Sequence, residues 1–172
     1  MFNIGGSAAQ FAIGLRNDTG ATREVGDVVQ VKIANLSPGA PMGGGAATGF
    51  EADLPRWLGT GLGDGNRVAS GVVVGKPGST FRVGDDMMVQ VYGPVKAKVT
   101  LGAGLSSVLY QDLTTTNAAV GLTPVAKINF NAATTTLQEG QIQRAVSLEV
   151  VTNTAAVTAD VLCSVYLKWP AI

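Results

Sequence analysis

Residues 67–101 read RVASGVVVGKPGSTFRVGDDMMVQVYGPVKAKVTL, and no other run constrains the fold as much. Met87, Val89 and Val91 alternate with Met88, Gln90 and Tyr92, and after Gly93-Pro94 the residues Val95, Ala97, Val99 and Leu101 alternate with Lys96, Lys98 and Thr100. A period of two belongs to strands with one buried face, here with both lysines on the wet side. Lys76-Pro77-Gly78-Ser79 and Gly93-Pro94 supply turn chemistry, so the run predicts strand, turn, strand, turn, strand.

The same signals recur along the chain. Val29, Val31 and Ile33 alternate with Gln30 and Lys32, and further strands are expected over 125–130, 145–151 and 156–168. In the last of these, Val157, Ala159, Val161, Cys163, Val165 and Leu167 form one apolar face. Val25-Gly26-Asp27 before Val29-Gln30-Val31 is echoed by Val83-Gly84-Asp85 before Val89-Gln90-Val91. Gly-Asp is a good turn ahead of a strand, with glycine supplying positive φ and aspartate capping the backbone, and this explains the echo without a duplication. Residues 51–58 fit a single helical turn around Pro55 and Trp57. The expected class is all-β, a small β-barrel or β-sandwich with long Gly-rich loops and an extended N-terminal arm.

The arm is assigned to residues 1–24, where Phe2, Ile4, Phe11, Ile13 and Leu15 stand among Gly, Ala, Ser and Asn with no sustained alternation. The β domain then covers 25–172. Within it, 36–66 is a Gly/Pro-rich loop insertion containing SPGAPMGGG and GTGLGDGN, and 100–172 carries Thr- and Ala-rich strands with room for a second β-subdomain.

Composition narrows the function classes. Lys plus Arg and Asp plus Glu both total 12, so no net field draws in nucleic acid or an anionic membrane. Nowhere do 18 apolar residues follow one another, and the N-terminus has no basic segment before an apolar one, so neither a membrane span nor a signal peptide is expected. Charged residues make up 14% of the chain, a low share that suits a surface packed against other subunits. Cys163 is the single cysteine, flanked by Val161 and Val165 one strand period away, and reads as a core thiol.

No histidine is present, which removes the usual general base, zinc ligand and nucleophile-activating partner. A carboxylate pair among Glu51, Asp53, Asp64, Asp85 and Asp86 would have to carry any hydrolysis, and Asp85-Asp86 fits a solvated turn better. Gly71-Val-Val-Val-Gly75-Lys76 misses the phosphate-loop pattern, having three intervening residues and Pro77 where Ser or Thr is needed. Asp64-Gly65-Asn66 lacks the oxygen-ligand spacing of a calcium loop. No enzyme activity, cofactor, metal or small-molecule substrate is therefore expected. Trp57 and Trp169, the largest apolar side chains, join Phe2, Ile4, Phe11, Ile13 and Leu15 as candidates for a partner interface, because buried aromatics concentrate binding energy.

Val68-Ala69-Ser70-Gly71-Val72-Val73, then Gly78, then the run from Val83-Gly84-Asp85 to Gly93-Pro94-Val95 resembles a pattern in capsid cement (decoration) proteins of tailed bacteriophages. Their sequences pair a G-V-A/V strand with a G-D/E…V-x-V-x-G strand, and Val25-Gly26-Asp27-Val28-Val29 looks like the G-D-x-V strand near their start. The resemblance spans roughly 70 residues with gaps. The insertion at 36–66 and the Thr-rich C-terminal third depart from it. What it implies is a structural virion protein made in the host cytoplasm. It would sit on the capsid outer surface, with the major capsid protein as partner and a homotrimer as the working form. The other readings are a carbohydrate-binding β-sandwich, which would show coplanar aromatics, and a tail-tube or baseplate subunit.

Overall fold

The computed structural model describes residues 10–31, 51–53, 70–115, 119–124 and 145–168. Its strands are β1 Phe11–Asn17, β2 Arg23–Glu24, β3 Val28–Val31, β4 Glu51–Asp53, β5 Ser70–Val74, β6 Thr80–Phe81, β7 Asp86–Leu101, β8 Asp112–Thr115, β9 Leu122–Pro124, β10 Ala145–Ser147 and β11 Ala159–Leu167. No helix occurs among the described residues, and the chain is all-β. The strand expected over 125–130, Ile33, and most of the 36–66 insertion lie outside the described residues.

β7 organises everything else. It runs for 16 residues through Gly93-Pro94, where the sequence predicted a turn. Gly93 adopts φ 92°, which bends the strand without ending it, and Pro94 still pairs with Tyr166 of β11. Before the bend β7 is flanked by β5 and β1; after it, by β11 and, through Val99 opposite Leu122, by β9.

Two closed rings result. The strands β1-β4-β3-β5-β7 form a barrel closed by the β1–β7 ladder, and β7-β11-β10-β8-β9 form a second ring closed by the parallel β7–β9 contact. Closure pairs the first and last strands of each ring, over a ladder in the first and at Val99–Leu122 in the second. Leu15, Val29, Ala52, Val73, Met87, Val89 and Val91 fill the first. Ala97, Val99, Leu101, Leu113, Leu122, Ala145, Cys163, Val165 and Leu167 fill the second. Cys163 is a core thiol, and burial pushes its pKa up.

The wall between the rings is buried on both faces. Val29 and Val73 point into the first core, whereas Val28 and Val72, opposite each other in the β3–β5 ladder, pack into the second. A strand with two dry faces carries continuous rather than alternating apolar residues, and this is the physical origin of Val28-Val29 and Val72-Val73.

The two Val-Gly-Asp sequences form the same turn. Asp27 N donates to Glu24 O at 3.1 Å and Asp85 N to Arg82 O at 3.0 Å, with Gly26 at φ 97° and Gly84 at φ 92°. Each aspartate carboxylate then accepts from the first N–H of its own turn, Glu24 N to Asp27 at 3.0 Å and Arg82 N to Asp85 at 2.7 Å. The strands before the turns, β2 and β6, pair with each other. Each turn clasps the opposite half of the barrel: Gly26 N and Asp27 O bond Val73, and Gly84 N and Asp85 O bond Asn17.

Two local expectations change. Glu51–Asp53 is a strand between β1 and β3, not the start of a helical turn, because ladder bonds on both edges outweigh an isolated turn whose nucleation is unfavourable. Residues 11–17, read as part of an arm, are a barrel strand: β1 pairs with β7 from Phe11 to Arg16, and Leu15 is 2% exposed.

Candidate interaction surface

Of the residues the sequence marked for a partner interface, Phe2, Ile4, Trp57 and Trp169 lie outside the described residues. The other three share β1 but not one environment. Phe11 is half-exposed at the start of the strand, Ile13 packs partly against the first core, and Leu15 lies inside it. Leu15 is therefore a barrel residue, and Phe11 is the one of the three open to a partner.

A set of exposed apolar residues lies on two hydrogen-bonded segments beside the second ring. Segments 104–111 and 147–153 run side by side, joined by Ser107 N to Val151 O at 2.8 Å, Asn153 N to Leu105 O at 2.9 Å and Tyr110 N to Ser147 O at 2.9 Å. Side chains reinforce this ladder: Ser107 Oγ donates to Glu149 O and accepts from Val151 N, Ser106 and Thr152 hydroxyls share a bond at 2.7 Å, and Ser147 Oγ donates to Val108 O. The polar groups of the two segments thus face each other. What they leave outward is Leu105, Val108, Leu109, Tyr110, Leu148 and Val150, all exposed.

Tyr110 is the most exposed of these, at 71%, and it has φ 60°. It occupies the third position of a turn closed by Gln111 N to Val108 O at 3.0 Å, a place suited to glycine or asparagine. An aromatic there costs about 1 kcal/mol of backbone strain. The sequence reading missed this ridge, although residues 99–111 and 150–159 contain no Lys, Arg, Asp or Glu.

Asn153 anchors the ridge to its ring. Its buried amide nitrogen donates to Leu101 O, Gly102 O and Val157 O at 2.8, 3.1 and 2.9 Å, and its oxygen accepts from Ala155 N. Asn153→Ala removes the amide donor from Leu101 O and Val157 O, while Gly102 O keeps Leu105 N, and is expected to cost about 2–3 kcal/mol by urea unfolding. A variant as stable as the parent would show that the ridge is not held through this residue.

The charges beside the ridge are used within the chain. Glu149 Oε1 accepts from Lys96 Nζ at 2.5 Å and from Ser164 N at 2.6 Å, and these bonds, Lys96 first, hold its carboxyl below the usual range. Their contribution is present above the ordinary carboxylate pKa and fades as pH falls through the lowered one. Lys168 pairs with Asp112 at 3.1 Å.

Known proteins add little to this geometry. No family model and no curated protein sequence matches the chain. The comparison with solved structures finds a weak likeness. It is to the head fiber gp8.5 N base in bacteriophage phi29, with a TM-score of 0.44 and 10% sequence identity, covering 93% of this chain and 95% of that one. A likeness of that size leaves function to be argued from this chain's own surfaces.

Among the described residues no group of three His, Cys, Asp or Glu gathers as a metal site. Asp85 and Asp86 lie exposed at the start of β7, Asp85 serving its turn. Tyr92 and Tyr166 share a hydroxyl bond at 3.0 Å and meet edge-on at 80°, which does not give the parallel faces on which a sugar ring stacks.

Lys98 departs from its expected wet position. Its ammonium bonds Asp27 at 2.6 Å and Glu24 at 3.0 Å, joining the first Val-Gly-Asp turn to the second half of β7. Burial depresses its pKa, but the two carboxylates outweigh that and leave the value raised.

Proposed function

We propose that this chain is a structural virion protein that binds the outside of an assembled tailed-phage capsid and stabilises the shell, as a homotrimer with the major capsid protein as its partner. The observation that carries the reading is where the decoration-protein pattern falls. Residues 68–95 supply β5, which is one strand of the double-sided wall, β6, and the first half of β7, the strand that both rings share. The resemblance therefore lies in elements that set the architecture. A protein that binds only the assembled shell stabilises it by mass action, and many copies on one particle multiply a modest effect at each site.

In this reading the capsid contact is made by the segment leading into Phe11, which emerges half-exposed from the first barrel. The fold decides how to test it. Deleting residues 1–24 would remove β1 and take Leu15 out of the core, so loss of binding would mean only loss of folding. Deleting residues 1–9 removes no strand residue and keeps the Gln10 side-chain bond to Pro94 O. The truncated chain is expected to keep its melting temperature and to lose binding to heads of the virus that encodes it, read by co-sedimentation, with the heads then melting as undecorated ones do. Unchanged co-sedimentation by a folded truncation would refute the assignment of that segment.

A further inference from the structure

Lys98, Asp27 and Glu24 are placed for a reaction as well as for an ion pair. We propose that Lys98 Nζ and the Asp27 side-chain carbon Cγ condense into an amide, a covalent bridge from the first Val-Gly-Asp turn to the second half of β7.

The partners are held together before any bond forms. Lys98 N donates to Gly26 O at 2.8 Å, so the backbone that carries the amine is fixed to the turn that carries the acid. A side chain at position 26 would meet Leu162 Cδ2 at 2.6 Å and Lys98 Cγ at 3.6 Å, and glycine there lets the lysine stem lie across the turn. Lys98 Nζ then stands 2.6 Å from Asp27 Oδ1 and 3.0 Å from Glu24 Oε2. The two oxygens of Asp27 differ in surroundings. Oδ2 accepts from Glu24 N at 3.0 Å and faces Arg23 Nη1 at 3.7 Å, whereas Oδ1 faces the amine. Negative charge is therefore stabilised on Oδ2 when the carbon becomes tetrahedral, and Oδ1 is the oxygen placed to leave. The Asp27 side chain is 4% exposed, which keeps bulk water from competing at the same carbon.

The step balances without an outside reagent. One proton passing from the ammonium to Oδ1 along their 2.6 Å bond turns the ion pair into amine and acid with no change in net charge. The raised pKa of Lys98 makes the ionic form the resting one and slows this route without closing it. The nitrogen lone pair attacks Cγ and the N–C bond forms. Glu24 takes a second proton from nitrogen and returns it to Oδ1, the C–Oδ1 bond breaks, and Oδ1 departs as water. The three ammonium protons end as one amide N–H and one water, and nothing is oxidised or reduced. Well-oriented neighbours react as if at about 10⁵–10⁸ M, which offsets the poor condensation of separate amines and acids in water. The bridge joins residues 71 apart in sequence and so closes a long loop, restricting the unfolded chain.

The intact mass of the purified full-length chain tests this without reference to any capsid. The parent should be one water, ~18 Da, lighter than its sequence, and a tryptic digest should yield a branched peptide holding Asp27 and Lys98, uncut after Lys98. Lys98→Arg keeps a cation for the two carboxylates but has no amine to condense, and it should show the full sequence mass. Glu24→Gln keeps the backbone donor to Oδ2 and should slow linkage at least ~10-fold in newly translated chain sampled over time. A stability loss alone does not decide, since an ion pair also stabilises; the mass does. A folded parent that keeps its full mass on prolonged incubation overturns the proposal, as does a water loss that persists in Lys98→Arg. Linkage at the parental rate in Glu24→Gln overturns the proton-carrying role of Glu24.

Discussion

Asp27→Ala is expected to lower the unfolding free energy by about 3 kcal/mol, because it leaves the buried Arg23 without its counter-charge and Lys98 with Glu24 alone. The side chain is 4% exposed and serves three groups: Lys98 Nζ at 2.6 Å, Arg23 Nη1 at 3.7 Å and Glu24 N at 3.0 Å. Among the described residues, the buried Arg23 then keeps Thr19 Oγ1 and the Ala21 carbonyl, and Lys98 keeps Glu24. The structure supplies a matched control. Asp85 makes the same turn with the same bond to the first N–H, but it stands exposed, so Asp85→Ala should cost about 1 kcal/mol. Urea unfolding of the two variants measures the difference directly. Equal losses would mean that the turn alone matters and that the ion cluster linking the two rings contributes nothing.

This pair also shows what a sequence does and does not disclose. The turn is legible in both copies, since Val-Gly-Asp before a strand specifies positive φ and a cap from residue types alone. Burial is not legible, because it depends on which strand crosses above, and only Asp27 lies under β7 and Lys98. β1 hid for a related reason. Phe11, Ile13 and Leu15 keep a period of two, but Ala12 and Gly14 fill the outward positions, and without polar contrast the alternation does not register. Its next inward residue, Asn17, is buried polar and spends its amide on Ala21 O and Phe81 O, which no hydrophobic pattern would flag. Gly93-Pro94 read as a turn because local chemistry favours one, yet the β11 ladder, which pairs Leu167 with Gly93 and Tyr166 with Pro94, holds β7 together across it. The ridge carries no period at all, and its signal was the absence of charge over residues 99–111 and 150–159.

The two-faced wall gives the second large effect. Val28→Ala together with Val72→Ala removes two methyl groups at each of two facing positions in the second core, and at ~0.8 kcal/mol per methylene plus the cavity left behind this should cost about 3–5 kcal/mol. Val29→Ala together with Val73→Ala removes the same atoms from the first core and should cost about as much. An ordinary barrel with one dry face would behave differently, since residues one apart on a strand point to opposite sides and one of the two pairs would then be surface. That architecture predicts one expensive double variant and one within about 0.5 kcal/mol of the parent. Because the wall and β7 belong to both rings, each double variant should also lower a single cooperative transition. Two separable transitions, or a near-neutral Val28/Val72 pair, would mean that the rings stand apart and that the continuous valines have another cause.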